Sequence, residues 1–227
     1  MNPKLKSFLA GVRAESPLLV GVFPFGLIYG ALALAAGLSA AAAQMMSSIV
    51  FAGSSQFVAA QLIHDDAPGL VIVLTIAVVN LRHMLYSASV APYIEHLPQR
   101  WKILLAYLLT DEAYAATIIH YEEEGFTPTS HWFFLGAGLS LWTTWQVSSA
   151  LGIFLRKVIP SSWPLDFAAP LTFIALVVPV CKDKPVVASA LSAGLVALLA
   201  FNLPFKLGLI LAALVGIVIG TYLENRK

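Results

Sequence analysis

Arg82 and His83 interrupt the apolar stretch Leu70 to Val90, and Asp111 and Glu112 interrupt the next one, Trp101 to Ile119. Charges near the middle of a bilayer are expensive and by default functional. Arg82 stays protonated in proteins and presents a fork of donors suited to a carboxylate. Its plainer role is a permanent ion pair with Asp111 or Glu112. Asp111 lies about 15 Å along a helix from Trp101, with Tyr107 and Tyr114 at helical spacings on either side. An unbroken helix would therefore show a carboxylate between two phenols, a site for an ammonium group or a proton. Glu112 points about 100° away, toward a proton-coupling role or a pairing one. His83 titrates near neutrality and is a candidate proton relay, against the plainer role of a hydrogen-bonded structural histidine. Asn80, Tyr86 and Ser87 belong to the same polar stretch. In an unbroken helix Asn80, His83 and Ser87 share one face and Arg82 and Tyr86 another. Gly53, Ser54, Ser55 and Gln56 interrupt a further apolar segment, and a helix break there would offer backbone N–H and hydroxyl groups to an anion.

The elements that must position these residues follow from composition. The chain has 227 residues, 59% hydrophobic and 11% charged, with a mean hydropathy of +0.84. Such values belong to an integral membrane protein. A net charge of +1 gives no basic surface for nucleic acid. The single Cys181 has no partner for a disulfide or thiolate metal site, so neither metal nor cofactor is expected. At about twenty apolar residues per crossing, the sequence divides into about eight segments. They run Pro17 to Ala36, Ala40 to Ile63, Pro68 to Ile94, Trp101 to His120, Trp132 to Leu155, Asp166 to Cys181, Pro185 to Phe201 and Pro204 to Leu223. Long unbroken runs exclude a β-barrel, leaving an all-α polytopic bundle of seven or eight segments in one domain, 1–227. The first segment reads as a retained helix rather than a cleaved signal, because it contains Pro17 and Pro24, has Glu15 at its edge and is followed by further hydrophobic segments.

Two segments should be discontinuous, one around Ala52 to Gln56 and one around Asn80 to His83. A candidate inverted repeat pairs Pro24 to Gln56 with Pro170 to Ala200, each passing from a proline-bearing helix to an Ala/Ser-rich one. Lys and Arg are spread over both sides, and the bias improves if one early segment is re-entrant; a cytoplasmic N-terminus is favoured. Gly26 with Gly30, and Gly216 with Gly220, have the spacing of small-residue helix packing. Trp132, Trp142, Trp145 and Trp163 belong at interfaces or in packing. His64 to Asp66 and Glu122 to Glu124 are solvated connecting charges. Two other classes compete with a solute pathway. An intramembrane serine hydrolase would use Ser54 or Ser55 with His83 as base. A non-transporting assembly subunit would hold its central charges only as a structural pair.

At Pro24-Phe25-Gly26, Phe51-Ala52-Gly53-Ser54-Ser55-Gln56-Phe57, Asn80-Leu81-Arg82-His83, Thr110-Asp111-Glu112-Ala113-Tyr114 and Asp166-Phe167 with Pro170, the chain resembles the AzlC-type large subunit of branched-chain amino acid exporters. The resemblance covers nearly the whole chain in order, and the motifs are specific together rather than singly. It implies a multi-pass permease of the bacterial inner membrane that exports valine, leucine or related hydrophobic amino acids with a small AzlD-type membrane subunit. Such a substrate needs groups for its carboxylate, its ammonium and its apolar side chain. Arg82 with the Gly53 to Gln56 break suits the first, Asp111 or Glu112 the second, and Phe23, Phe25, Phe51 and Phe57 the third. With no ATP-binding loop, transport would be secondary, with proton coupling through Asp111, Glu112 or His83.

Overall fold

In a computed structural model, described for residues 2–125, 127–156, 181, 183–203 and 207–225, all regular structure is helical. Ten helices occur among the described residues: α1 (Pro3–Ala35), α2 (Ala40–Val50), α3 (Gly53–His64), α4 (Gly69–Asn80), α5 (Arg82–Ile94), α6 (Gln99–Tyr107), α7 (Asp111–Glu124), α8 (Ser130–Leu155), α9 (Lys184–Leu199) and α10 (Leu207–Glu224). By length and composition α1 and α10 can each cross a membrane, and α4 with α5 can do so as one broken span. The expected segment Asp166 to Cys181, Trp163 and the first part of the repeat partner Pro170 to Ala200 lie outside the described residues.

Two compact units are present: residues 2–57 with 79–156, and residues 58–78 with 183–203 and 207–225. In the first unit the dominant packing is α1 on α8, with α2 and α7 against both. The sequence places the first helix at Pro17, but it begins at Pro3 and runs 33 residues, about 50 Å at helical rise. Asn2 caps it by accepting from Lys4 N. Pro17 cannot donate to the Arg13 carbonyl, and the Ser16 hydroxyl does so instead at 2.8 Å, which lets the helix continue through the proline.

Helices α1 and α8 run parallel. Ser7 donates to the Thr129 carbonyl, Gly11 meets Phe133 and Ala137, Gly26 meets Ser148, and Gly30 meets Ser149 to Ile153. A methyl group at Gly11, Gly30 or Gly152 would collide with a backbone oxygen of the facing helix, so the two backbones touch only because these positions lack a side chain. In the second unit α9 and α10 are antiparallel. Gly216 and Gly220 face Ser189, whose hydroxyl donates to Gly216 O at 2.7 Å. Both glycine pairs thus serve packing within the chain. Large apolar side chains such as Val20, Ile49, Leu85, Leu198 and Ile217 are exposed, as lipid-facing residues are.

Both expected breaks occur. Between α2 and α3, Phe51 adopts a left-handed conformation (φ 38°, ψ 48°) and the chain restarts at Gly53. Leu81 separates α4 from α5. A third break corrects the sequence reading: Trp101 to His120 is two helices, α6 ending at Tyr107 and α7 starting at Asp111. Thr110 caps α7, its hydroxyl accepting from Ala113 N at 3.4 Å.

Candidate functional site

Each of the three breaks ends by starting a helix, and the starting residues meet. Ser54 is the second residue of α3, Arg82 the first of α5 and Asp111 the first of α7. Arg82 Nη1 lies 2.6 Å from Asp111 Oδ2, and Arg82 Nη2 donates to Ser54 Oγ at 2.5 Å. Beside them the Ser55 hydroxyl donates to Asn80 Oδ1 at 2.5 Å, which ties the start of α3 to the last residue of α4. Helix N-termini carry unpaired N–H groups and the positive end of the helix dipole. Three such ends and a guanidinium create a focus that suits negative charge. Asp111 supplies part of that charge and, with Glu112, places two acids in the first turn of α7.

The ion pair is not saturated. Arg82 Nε and Asp111 Oδ1 are buried without a hydrogen-bond partner, although the two side chains remain 31% and 39% exposed. The pair therefore keeps one spare donor on Arg82 and one spare acceptor on Asp111.

The neighbouring aromatics frame the site. Tyr86 and Tyr114 stack with centroids 4.6 Å apart, and the Tyr114 hydroxyl donates to Ser89 Oγ at 3.0 Å. His83 rests edge-on to Tyr86, with Nδ1 3.2 Å from the Asn80 carbonyl. Asn80, Arg82, His83, Asp111 and Tyr114 are therefore grouped with Ser54 and Ser55, as the sequence reading requires of a site. Tyr107 is not part of that group. Because α6 ends there, its hydroxyl donates to Ser48 O at 2.6 Å and accepts from Trp142 Nε1 at 2.7 Å, away from Asp111. The shared face of Asn80, His83 and Ser87 is likewise cut by the break at Leu81. Arg82 takes Asp111 as its partner, while half-buried Glu112 turns toward the Thr110 hydroxyl and lies within electrostatic reach of Glu15 on α1.

Gly53 lies beneath an aromatic cluster, its open side facing the Trp145 and Phe25 rings. Phe25 and Phe57 have centroids 4.6 Å apart, and Tyr29 stacks on Trp145 at 5.8 Å. Gln56 is fully buried near the Tyr29 hydroxyl, which donates to Ala43 O at 2.8 Å. Of the four phenylalanines expected to line an apolar hollow, Phe25 and Phe57 come together. Phe51 instead packs on Tyr107, and Phe23 is exposed.

Two features escaped the sequence reading. A polar network joins α2 to α8: Gln44 and Ser48 donate to Gln146 Oε1 at 2.8 and 2.9 Å, Gln146 Nε2 donates to Ser47 O, and Ser47 donates to Ser149 Oγ. Its signal was Gln44 with the Ser47-Ser48 pair in one apolar stretch and Gln146 with the Ser148-Ser149 pair in another. The second is Glu15, which is fully buried inside α1 rather than at the edge of a segment. Neither Ser54 nor Ser55 is bonded to His83; their partners are Arg82 and Asn80.

Residues 17–159, more than half of the chain, match the family described as AzlC protein. Over 226 residues the chain is 26% identical to the inner membrane protein YgaZ of Escherichia coli, covering 96% of this chain and 89% of that one. It is 31% identical to an uncharacterized membrane protein of Archaeoglobus fulgidus over 94% of both chains. It is also 30% identical to the branched-chain amino acid transport protein AzlC of Bacillus subtilis, over 70% of this chain and 62% of that one. No solved structure matches. The match spans the three breaks and every residue grouped around Arg82, and the chain belongs to the AzlC protein family of membrane proteins.

Proposed function

We propose that the chain is the large subunit of a secondary transporter that exports branched-chain or related hydrophobic amino acids across the bacterial inner membrane, coupled to protons and working with a small AzlD-type membrane subunit. The observation that carries this reading is the meeting of three helix N-termini at an unsaturated Arg82–Asp111 pair. An amino acid carries one negative and one positive group close together, and the pair offers the complement of each. Its carboxylate would take the Arg82 edge and the start of α3, and its ammonium would take Asp111. The substrate side chain would lie toward Phe25, Phe57 and Trp145. The Bacillus subtilis relative, named for branched-chain amino acid transport, favours the same substrate class.

The ion pair then has two uses. In the absence of substrate, Arg82 and Asp111 neutralise one another, which lowers the cost of holding both at membrane depth. When substrate enters, its two ends replace part of that pairing, and no net charge is added to the site. His83, Asp111 and Glu112 are the groups proposed to exchange the coupled proton. The serine hydrolase reading lacks comparable support, since a serine nucleophile needs a base within hydrogen-bond reach.

The test is efflux of labelled valine, leucine and isoleucine from proteoliposomes containing the chain, with and without the small subunit, under an imposed pH gradient. Gradient-dependent efflux of at least one of them is expected. No efflux of any amino acid with both subunits present would overturn the reading.

A further inference from the structure

Glu15 stands on the stripe of α1 that includes Gly11, Val22, Gly26, Tyr29 and Gly30, all buried in the packing of this helix. Lys4, Lys6 and Arg13, the other charged residues of α1, are exposed. Glu15 is 0% exposed, and neither Oε1 nor Oε2 has a hydrogen-bond partner. Burying a carboxyl group without a partner is costly, and a leucine would fill the same volume without that penalty. Such a group is best explained by a ligand that it binds.

The elements packed against α1 narrow the choice of ligand. Helix α2 has no charged residue, and α8 has only His131, at its first turn. Helix α7 brings Glu112 within electrostatic reach of Glu15. Its remaining charges are Asp111, held by Arg82, and His120 with Glu122, Glu123 and Glu124 at its far end, where His120 faces Glu124 at 3.8 Å. No cation faces Glu15 among these described residues. Arg82, the one cation that acts on Glu112, is already engaged by Asp111, and the smallest further cation that two neighbouring carboxyl groups can share is a proton.

We infer that fully buried Glu15 and half-buried Glu112 form a carboxyl pair between α1 and α7 that carries the transported proton, beside the substrate's ion-pair site. The inference rests on the proton-coupled reading and adds to Glu112 a second proton-carrying group, Glu15, which lies in none of the family motifs. In the exchange step a carboxylic O–H bond breaks, the proton leaves to water on the side to which the pair opens, and the electron pair stays on the carboxylate oxygen. Uptake is the reverse. Coupling to substrate follows from the neighbouring positions of Asp111 and Glu112 at the start of α7. When the substrate ammonium takes Asp111, its positive charge lies one residue from Glu112 and favours release of the pair's proton, so that proton and substrate occupy the site in turn.

The test compares wild type, Glu15→Gln and Glu15→Asp in proteoliposomes with the small subunit, measuring valine–valine exchange at symmetric pH and valine flux driven by a pH gradient. In Glu15→Gln the ratio of gradient-driven flux to exchange should fall by about tenfold or more, and Glu15→Asp should restore part of it. A hydrophobic carbodiimide should label the Glu15 peptide of the wild type, read by mass spectrometry, and more slowly at high pH. If Glu15→Gln aggregates, the labelling and the Glu15→Asp flux ratio still decide. A gradient-driven wild type whose flux ratio is unchanged in Glu15→Gln, or whose Glu15 resists the carbodiimide at low pH, overturns this inference alone. A wild type with efflux but no pH-gradient dependence overturns proton coupling itself, and the carboxyl pair with it.

Discussion

Arg82 divides its donors between Asp111 and Ser54 and leaves Nε without a partner, and the proposed binding role draws on that spare donor. Charge-assisted hydrogen bonds are worth about 1.5–3 kcal/mol, so Arg82→Ala should weaken valine affinity roughly tenfold to a hundredfold, as measured by substrate-dependent thermal shift or counterflow. A purely structural pair would behave otherwise, because removing both charges relieves the buried partner that a single substitution strands. The double variant Arg82→Ala with Asp111→Ala should therefore fold yet remain without flux. Recovery of wild-type efflux in it would assign the pair to structure alone. The charged members of this group were legible in the sequence because ionised side chains in apolar runs are conspicuous. Their pairing was not: Asp111 and Glu112 are adjacent and chemically alike, and only the direction in which α7 starts decides which one Arg82 meets.

At the level of helices, breaks do the positioning. Those at Phe51–Ala52 and Leu81 could be anticipated, since Gly53 to Gln56 and Asn80 to His83 bring glycine, small polar and charged residues into apolar segments. The break before Asp111 could not, because Leu108-Leu109-Thr110 contains neither glycine nor proline and its signal is confined to the capping threonine. Thr110→Ala should cost about 1 kcal/mol of stability, the usual worth of an N-cap. It should also lower efflux by loosening the turn that aims Asp111, read as a lower flux at unchanged expression. The α1–α8 contact is less forgiving. In Gly30→Val the new Cβ alone meets the Ser149 carbonyl oxygen and the Ile153 backbone nitrogen, neither of which is a flexible side-chain end. Overpacking of this kind costs about 1–3 kcal/mol or more, so the detergent-solubilised variant should melt at a clearly lower temperature than the wild type. An unchanged melting temperature would contradict the backbone contact.

For the whole chain, the parallel course of α1 and α8 constrains topology. Two parallel helices that both cross a membrane must be separated by an odd number of crossings. If α8 crosses as α1 does, then either α2–α3, α4–α5 and α6–α7 all cross or only one of them does. Single cysteines at Lys6 and Glu123, in a Cys181→Ser background, should thus react with an impermeant thiol reagent from the same face, and one at Ala40 from the opposite face. Labelling of Lys6→Cys and Glu123→Cys from opposite faces would exclude the parallel arrangement. The sequence by itself determined that this protein is a helical membrane protein with costly charges in two of its segments and breaks in two, because hydropathy and glycine or charge interruptions are local properties written along the chain. Only the tertiary structure decided that three helix starts share one arginine, that Tyr107 leaves the site, and that Glu15 is interior, because each depends on which face of a helix meets which neighbour, and an all-round apolar sequence does not mark its own faces.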